Sequence, residues 1–387
     1  MLNKKCLSIL IALVLAVSCL GALAEAALVE QTAEVVAVLD SLEKIDKYGD
    51  PKLSITSGEF AAAGFQYEDL VTVRFAGQEI VVPVVPEYRY VAAQHAGLVM
   101  WKDAEKPVEL EIFNGSFAGF YGLATKTTNE DKTFFWTANE GIELPLEFSI
   151  SLYEEGGYHE QYLIYDLGRT DEKSDYPSLT DEQFANFRAV TTTGMGENKL
   201  FRASSPVNPS IGRNAYADDA ARAHQIKTVV NLADDQASAE KYENFANTYY
   251  SALRVIYLNL GVDFAKTNVA GLADGLRGIG AGEAPFLIHC NEGQDRAGFT
   301  AFLLESLMGA SYEELKADYM TTYFNYYGVM TDSEQYNAIW NNVSKSLAGY
   351  LGIEQLEGAD LVAAAEAYVL GTGLTQSELE ALKAALR

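Results

Sequence analysis

The stretch Pro285-Phe-Leu-Ile-His-Cys290-Asn-Glu-Gly-Gln-Asp-Arg296-Ala-Gly-Phe-Thr300 restricts the fold of this chain more than any other. Apolar residues run into His289 and Cys290, five polar or small residues follow, and an apolar helical run begins after Arg296. The pattern predicts a buried strand, a tight loop and a helix N-terminus. A loop of this length can turn its backbone N–H groups inward. Together with the helix dipole they make a cradle for an anion. Arg296 adds a planar fork suited to two phosphate oxygens, and the positive potential favours the thiolate of Cys290. Alone, Cys290 would be a small buried apolar residue and Arg296 a surface charge at a helix start. Their combination at this spacing points instead to a nucleophile aimed at a phosphate.

The cysteine count bears on that reading. The N-terminus has Lys4 and Lys5, an apolar run from Cys6 to about Val17, and a small-x-small cleavage site at Ala22-Leu23-Ala24. It is expected to be a signal peptide over residues 1–24, placing the protein in the secreted or cell-surface compartment. Lipoprotein anchoring through Cys19 is the rival. Either way Cys6 lies in the segment removed, and cleavage after Ala24 removes Cys19 as well. Cys290 is then the sole mature cysteine, and a lone thiol outside the cytoplasm suits a nucleophile better than a packing residue. The histidines at 95, 159, 224 and 289 have no zinc-ligand spacing, so neither metal nor cofactor is expected. A formal charge of −26 argues against nucleic acid as a partner. No later stretch approaches the ~20 apolar residues of a membrane span.

At 387 residues the chain has room for two domains. Residues 25–43 pattern as a short amphipathic helix. The runs Leu70–Phe75, Glu79–Val85 and Val108–Phe113 pattern as strands, giving a barrel-like all-β domain over 25–130. A β-rich connecting region over 131–197 includes strand text at Leu144–Leu152 and Gln161–Tyr165. It ends in a helix opened by the capping box Thr180-Asp-Glu-Gln183 and carrying Phe184, Phe187 and Val190. Over 198–387 strand and helix patterns alternate, with strands at Lys227–Leu232 and Val255–Asn259 and helices over 238–253 and 269–279. That alternation predicts an α/β domain with a mostly parallel central sheet flanked by helices and its ligand at the strand C-termini. Capping boxes at Ser311–Glu314 and Thr375–Glu378 open helices of its C-terminal part.

His289-Cys290-x5-Arg296 resembles the signature loop of the cysteine-dependent protein tyrosine and dual-specificity phosphatases, and Gly293 with Asp295 resembles their bacterial branch. The strand Leu200-Phe-Arg-Ala-Ser-Ser205 matches the entry to that branch's catalytic domain. The resemblance implies hydrolysis of a phosphorylated protein or small phosphomonoester through a phosphocysteine on Cys290. The backbone of Asn291, Glu292, Gly293, Gln294 and Asp295, with Arg296, would bind the phosphate. His289 would orient the loop, and an acid would protonate the leaving group. Asp263, 27 residues before Cys290, fits the acid by place; Asp295 is the rival and Asp234 or Asp235 the third choice. Arg202, Arg213 and Lys266 are candidates for the pocket mouth. Gln294 stands where the branch has lysine and Ala297 where the wider family has Ser or Thr. The first change counts against an inositol-phosphate or phosphoinositide phosphatase. The second implies slower breakdown of the phosphoenzyme and leaves room for a phosphate-binding module without turnover. In the N-terminal region, Lys47-Tyr-Gly-Asp50, Gly64–Asp69, Val82–Tyr88 and Phe113–Ala118 resemble in order the C-terminal β-barrel of the S-adenosylmethionine hydroxide adenosyltransferases. That family's catalytic domain is missing here, so the likeness implies architecture only.

Overall fold

The computed structural model describes residues 34–387. The expected signal peptide over residues 1–24, with Cys19, lies outside these residues. The chain divides into two compact units, one ending at Tyr165 and one beginning at Asp166.

The first unit is a seven-stranded sheet curled almost into a barrel. In chain order its strands are β1 (Val35–Leu39), β2 (Lys52–Thr56), β3 (Leu70–Phe75), β4 (Gln78–Val85), β5 (Ala96–Val99), β6 (Pro107–Ile112) and, after a β7–β8 hairpin (Ala124–Thr128, Phe134–Ala138), β9 (Leu146–Glu154). The spatial order is β1-β9-β3-β4-β5-β6-β2. The two edge strands approach each other, and the Val38 N–H donates to Ser54 Oγ at 2.9 Å. Alternate residues such as Val71, Val73, Phe75, Phe148 and Ile150 fill the interior with Phe117. This follows from the two-residue period of a strand.

The second unit has a five-stranded sheet, with β10 (Arg188–Ala189), β11 (Leu200–Ala203), β12 (Thr228–Asn231), β13 (Arg254–Tyr257) and β14 (Phe286–His289) in the order β10-β11-β14-β12-β13. β11, β14, β12 and β13 run parallel; only β10, at the edge, is antiparallel. β14 is central, which explains its unbroken apolar text: both of its faces are covered. On one face Phe201, Val229 and Leu287 pack with Ala217, Ala220 and Ala221 of α1 (Asn214–Ala223). On the other lies α2 (Ala273–Gly280), so close that a Cβ on Gly275 would fall 2.9 Å from Val230 and one on Gly278 2.1 Å from Ile256. α3 (Asp295–Met308) leaves the loop after β14, and α4 (Tyr312–Tyr327) follows it.

Several expectations are corrected. The expected helix is not formed over 34–41, because Val35–Leu39 pairs with β9, and only a single 3-10 turn, Leu42–Lys44, follows; the rest of that expected helix lies outside the described residues. There is no separate region over 131–197. β9 sits between β1 and β3, which ties 131–165 to the first unit, and 166–197 belong to the second. Gln161–Tyr165 is part of a helix, His159–Tyr165, since a short apolar run has no period to separate strand from helix. The Thr180 helix ends at Phe184, because Asn186 takes a left-handed φ of 52°. Residues 238–253 form short turns. There Asn244 has φ 63°, and the Asp218 carboxylate takes the N–H groups of Tyr249 and Tyr250 that a helix would use.

A chain spanning 34–165 is expected to melt cooperatively by circular dichroism, and one ending at residue 130, without β9, is not. Cooperative melting of the shorter chain would contradict this division.

Candidate active site

β14 delivers Cys290 to the C-terminal edge of the sheet, where the thiol is only 3% exposed. The loop from Cys290 to Asp295 is shaped by what holds its carbonyls. The Cys290 carbonyl lies 3.2 Å from His289 Nδ1, and the Asn291 carbonyl accepts from Ser205 N–H at 2.9 Å. The Glu292 carbonyl accepts from Tyr326 OH at 2.8 Å and Asn186 Nδ2 at 3.1 Å. The Gly293 carbonyl accepts from Arg202 Nη2 at 2.9 Å. In a trans peptide the N–H points opposite to the C=O. Four carbonyls drawn outward therefore turn the N–H groups of Asn291, Glu292, Gly293 and Gln294 into the loop. Among the described residues, none of the N–H groups from Asn291 to Arg296 has a backbone or side-chain acceptor. Gly293 makes the turn possible. Its φ is 70°, and a Cβ there would sit 2.3 Å from the Ala203 carbonyl oxygen.

His289 is fully buried, and burial lowers its pKa to about 4, against the opposing effects of its carbonyl bond and Asp234. It is therefore neutral near pH 7. The carbonyl it meets only accepts, so Nδ1 carries the proton and Nε2 receives the Tyr250 hydroxyl, 3.1 Å away. Asn231 Nδ2 supports that hydroxyl at 3.0 Å. The chain Asn231–Tyr250–His289 thus fixes the first loop carbonyl.

Arg296 lies half-buried in the first turn of α3, with Nη1 donating to the Leu260 carbonyl at 2.9 Å. That bond ties the segment preceding Asp263 to the loop. Asp263 itself is exposed, at the N-cap position of the turn Phe264–Thr267, and its carboxylate makes no capping bond. Asp295 opens α3; its side chain is exposed at the surface, yet the density of protein around it raises its pKa, Glu292 adds to this and Arg296 opposes it. The Glu292 carboxylate turns away to Arg169 at 2.8 Å. Asn291 Oδ1 accepts from Asn208 at 3.3 Å, and Gln294 Oε1 from Tyr327 OH at 3.2 Å.

Two residues assigned to the pocket mouth lie elsewhere. Arg202 is 1% exposed and pairs with Asp318 at 2.6 Å, because alternation on β11 points it into the unit. Arg213 is fully buried between the rings of Phe184 and Tyr326, 4.1 and 3.9 Å away, and bonds the Phe184 carbonyl. Lys266 is exposed. Asp234 is buried and engaged with Asn231 and Tyr242, while Asp235 caps a short helix through Ser238. Of the loop's supports, Ser205 lies in the Leu200–Ser205 passage already singled out, while Asn186, Tyr250, Tyr326 and Asp318 have no sequence motif. An asparagine between Ala185 and Phe187, suited to a left-handed turn, is the one available hint.

A family profile described as tyrosine phosphatase family matches residues 162–387, more than half of the chain. The chain belongs to that family. It is a protein-tyrosine-phosphatase-like hydrolase in the cysteine-dependent tyrosine and dual-specificity superfamily. Among solved structures this phosphatase is similar to TpbA from P. aeruginosa in complex with pTyr (18% identity, TM-score 0.30, covering 51% of this chain and 94% of that one). It is also similar to the core catalytic domain of the PP-IP phosphatase SIW14 from S. cerevisiae (18%, TM-score 0.27, 44% and 96%). An uncharacterized conserved protein from Thermotoga maritima matches at 15% identity and TM-score 0.23, covering 32% of this chain and only 37% of that one. No curated protein sequence matches.

Two outcomes are expected. Asn186→Ala should weaken inhibition of the phosphatase by orthovanadate about tenfold and lower stability by roughly 1–3 kcal/mol; unchanged inhibition would contradict the tether. The depressed pKa of His289 gives stability that is full above about pH 6.5 and lost as pH falls through about 4, roughly 3 kcal/mol in all. Urea midpoints should therefore drop more between those pH values in the wild type than in His289→Asn.

Proposed function

We propose that this phosphatase hydrolyses phosphate monoesters, phosphotyrosine foremost and with dual-specificity scope, through a phosphocysteine on Cys290. We further propose that it works outside the cytoplasm after loss of residues 1–24. The observation that carries the catalytic reading is the ring of inward N–H groups beside the buried thiol. Cys290 Sγ attacks phosphorus in line while the bond to the leaving oxygen breaks, and an acid gives that oxygen its proton. The loop N–H groups and Arg296 hold the equatorial oxygens as charge spreads over them. Water then attacks phosphorus, the same carboxylate takes its proton, and the S–P bond breaks to release thiolate and phosphate.

Asp263 is assigned the acid role, because the Arg296–Leu260 bond couples its segment to the phosphate site. Asp295 is the second reading, favoured by its place beside Arg296 and by the dense protein around it, which raises its pKa. Gln294 bonds Tyr327 and brings no charge, and the Glu292 carboxylate neutralises Arg169. That economy of free cations favours a single phosphoryl group on an aromatic leaving group over an inositol polyphosphate. Ala297 is fully buried and offers no hydroxyl to the departing thiolate.

Para-nitrophenyl phosphate should be cleaved by the wild type and not by Cys290→Ser. If the wild type is equally inert yet still binds vanadate, the protein is a phosphate-binding module. Phosphotyrosine peptides should exceed inositol hexakisphosphate in kcat/KM, and the reverse order would make it an inositol-phosphate phosphatase. Asp263→Asn should abolish the limb of the pH–rate profile that needs a protonated acid; if only Asp295→Asn does so, the acid is Asp295. Turnover should show a burst of nitrophenol that Ala297→Ser reduces.

A further inference from the structure

The first unit holds a cavity that phosphate hydrolysis does not use. It encloses about 610 Å³ and is lined from β6 by Glu109 and Glu111, from β2 and the turn before it by Lys52 and Asp50, and by the rings of Tyr88, Trp101 and Phe113. Glu109 is satisfied, with Trp101 Nε1 at 3.2 Å and Lys52 Nζ at 3.9 Å. Glu111 is not. It is 5% exposed and, among the described residues, has neither a hydrogen bond nor an ion pair. Asp50, 9% exposed, likewise has a buried Oδ1 without a partner.

Buried polar groups are nearly always paired, so the fully buried Asp50 Oδ1 without a partner, beside a Glu111 carboxylate that no group among the described residues bonds, requires an explanation. Acidity alone would not supply one. Here the unpartnered oxygens come with an aromatic wall, the Tyr88 and Phe113 rings standing 5.6 Å apart. Lys106 Nζ lies 4.5 Å over Trp101, so this wall already takes a cation of the chain's own. No three His, Cys, Asp or Glu side chains converge to hold a metal among the described residues, so a larger cation fits better. Unfilled acceptors require hydrogen-bond donors, which a quaternary ammonium lacks, and ionised carboxylates bind cationic N–H donors more strongly than neutral O–H ones. We propose that this cavity binds a small primary alkylammonium ligand, with Glu111 and Asp50 as counter-charges and Tyr88, Trp101 and Phe113 as its aromatic wall.

Burial, with Asp50 and then Glu109, Asp46 and Glu87 adding repulsion, raises Glu111 to about 8. Burial, with Asp46 and then Glu109 adding to it, raises Asp50 to about 7 against the opposing effect of the backbone N–H groups of Ile112 and Phe117. The cations facing them, Lys52 and Lys106, are engaged with Glu109 and Trp101. A bound ammonium favours the ionised carboxylates, so binding releases protons and strengthens as pH rises through about 7 to 8.

Isothermal titration calorimetry on the full chain with 1,4-diaminobutane tests this. Saturable binding is expected near pH 8.5, about tenfold or more tighter than at pH 6, with heats that change with buffer ionisation enthalpy. Glu111→Gln and, independently, Asp50→Asn should each weaken it about tenfold while keeping the wild-type circular dichroism spectrum; if one variant misfolds, the other decides. Tetramethylammonium and glucose should bind at least about tenfold more weakly. The proposal is overturned by no saturable binding of the diamine at about pH 8.5, by pH-independent affinity, by wild-type affinity in a folded variant, or by equal binding of tetramethylammonium or glucose.

Discussion

The catalytic unit depends on the planarity of four consecutive peptides. Each carbonyl from Cys290 to Gly293 is pulled outward, and a rigid plane then aims the following N–H inward. The donors come from separate places: a histidine at the end of β14, the backbone after β11, a side chain before β10, a tyrosine of α4 and an arginine of β11. Because they are spread over so many elements, the cradle forms only once the whole unit has folded. In the proposed reaction the cradle would meet the oxyanion already organised, which is how electrostatic stabilisation avoids reorganisation during reaction.

Behind the loop, charge is buried to serve that geometry. Arg202 and Arg188 share Asp318, at 2.6 and 2.8 Å. Burial opposes ionisation of Asp318, but the two guanidiniums overcome it and hold its pKa well below the usual carboxylate range. Glu305, 1% exposed beside them, is pushed well above its ordinary value by burial and by Asp318. Such a network is not a cheap source of stability, since desolvation offsets much of the attraction. Its use here is positional: it places Arg202 Nη2 on the Gly293 carbonyl.

The parts of this that were legible in the sequence are local. Phe286–Ile288, Cys290, Gly293 and Arg296 follow one another within one strand–loop–helix passage, and period-2 text marked β3, β4 and β6. The supports were hidden because they act across long separations: Asn186 reaches Glu292 over 106 residues and Arg202 reaches Gly293 over 91. Arg202 and Arg213 were placed at the pocket mouth because composition does not reveal which arginine has a buried carboxylate or an aromatic sandwich waiting for it. The domain boundary was misplaced for a similar reason. β9 is remote in sequence from the strands it joins, and only pairing shows where it belongs.

The central claim is that Cys290 attacks phosphorus within the N–H cradle. The most direct measurement is peptide mapping by mass spectrometry of the full chain, acid-quenched during the first turnover of para-nitrophenyl phosphate. The account predicts a phosphoryl group on the peptide carrying Cys290, formed as fast as nitrophenol appears. Nitrophenol release with that peptide unmodified throughout the first turnover would contradict it.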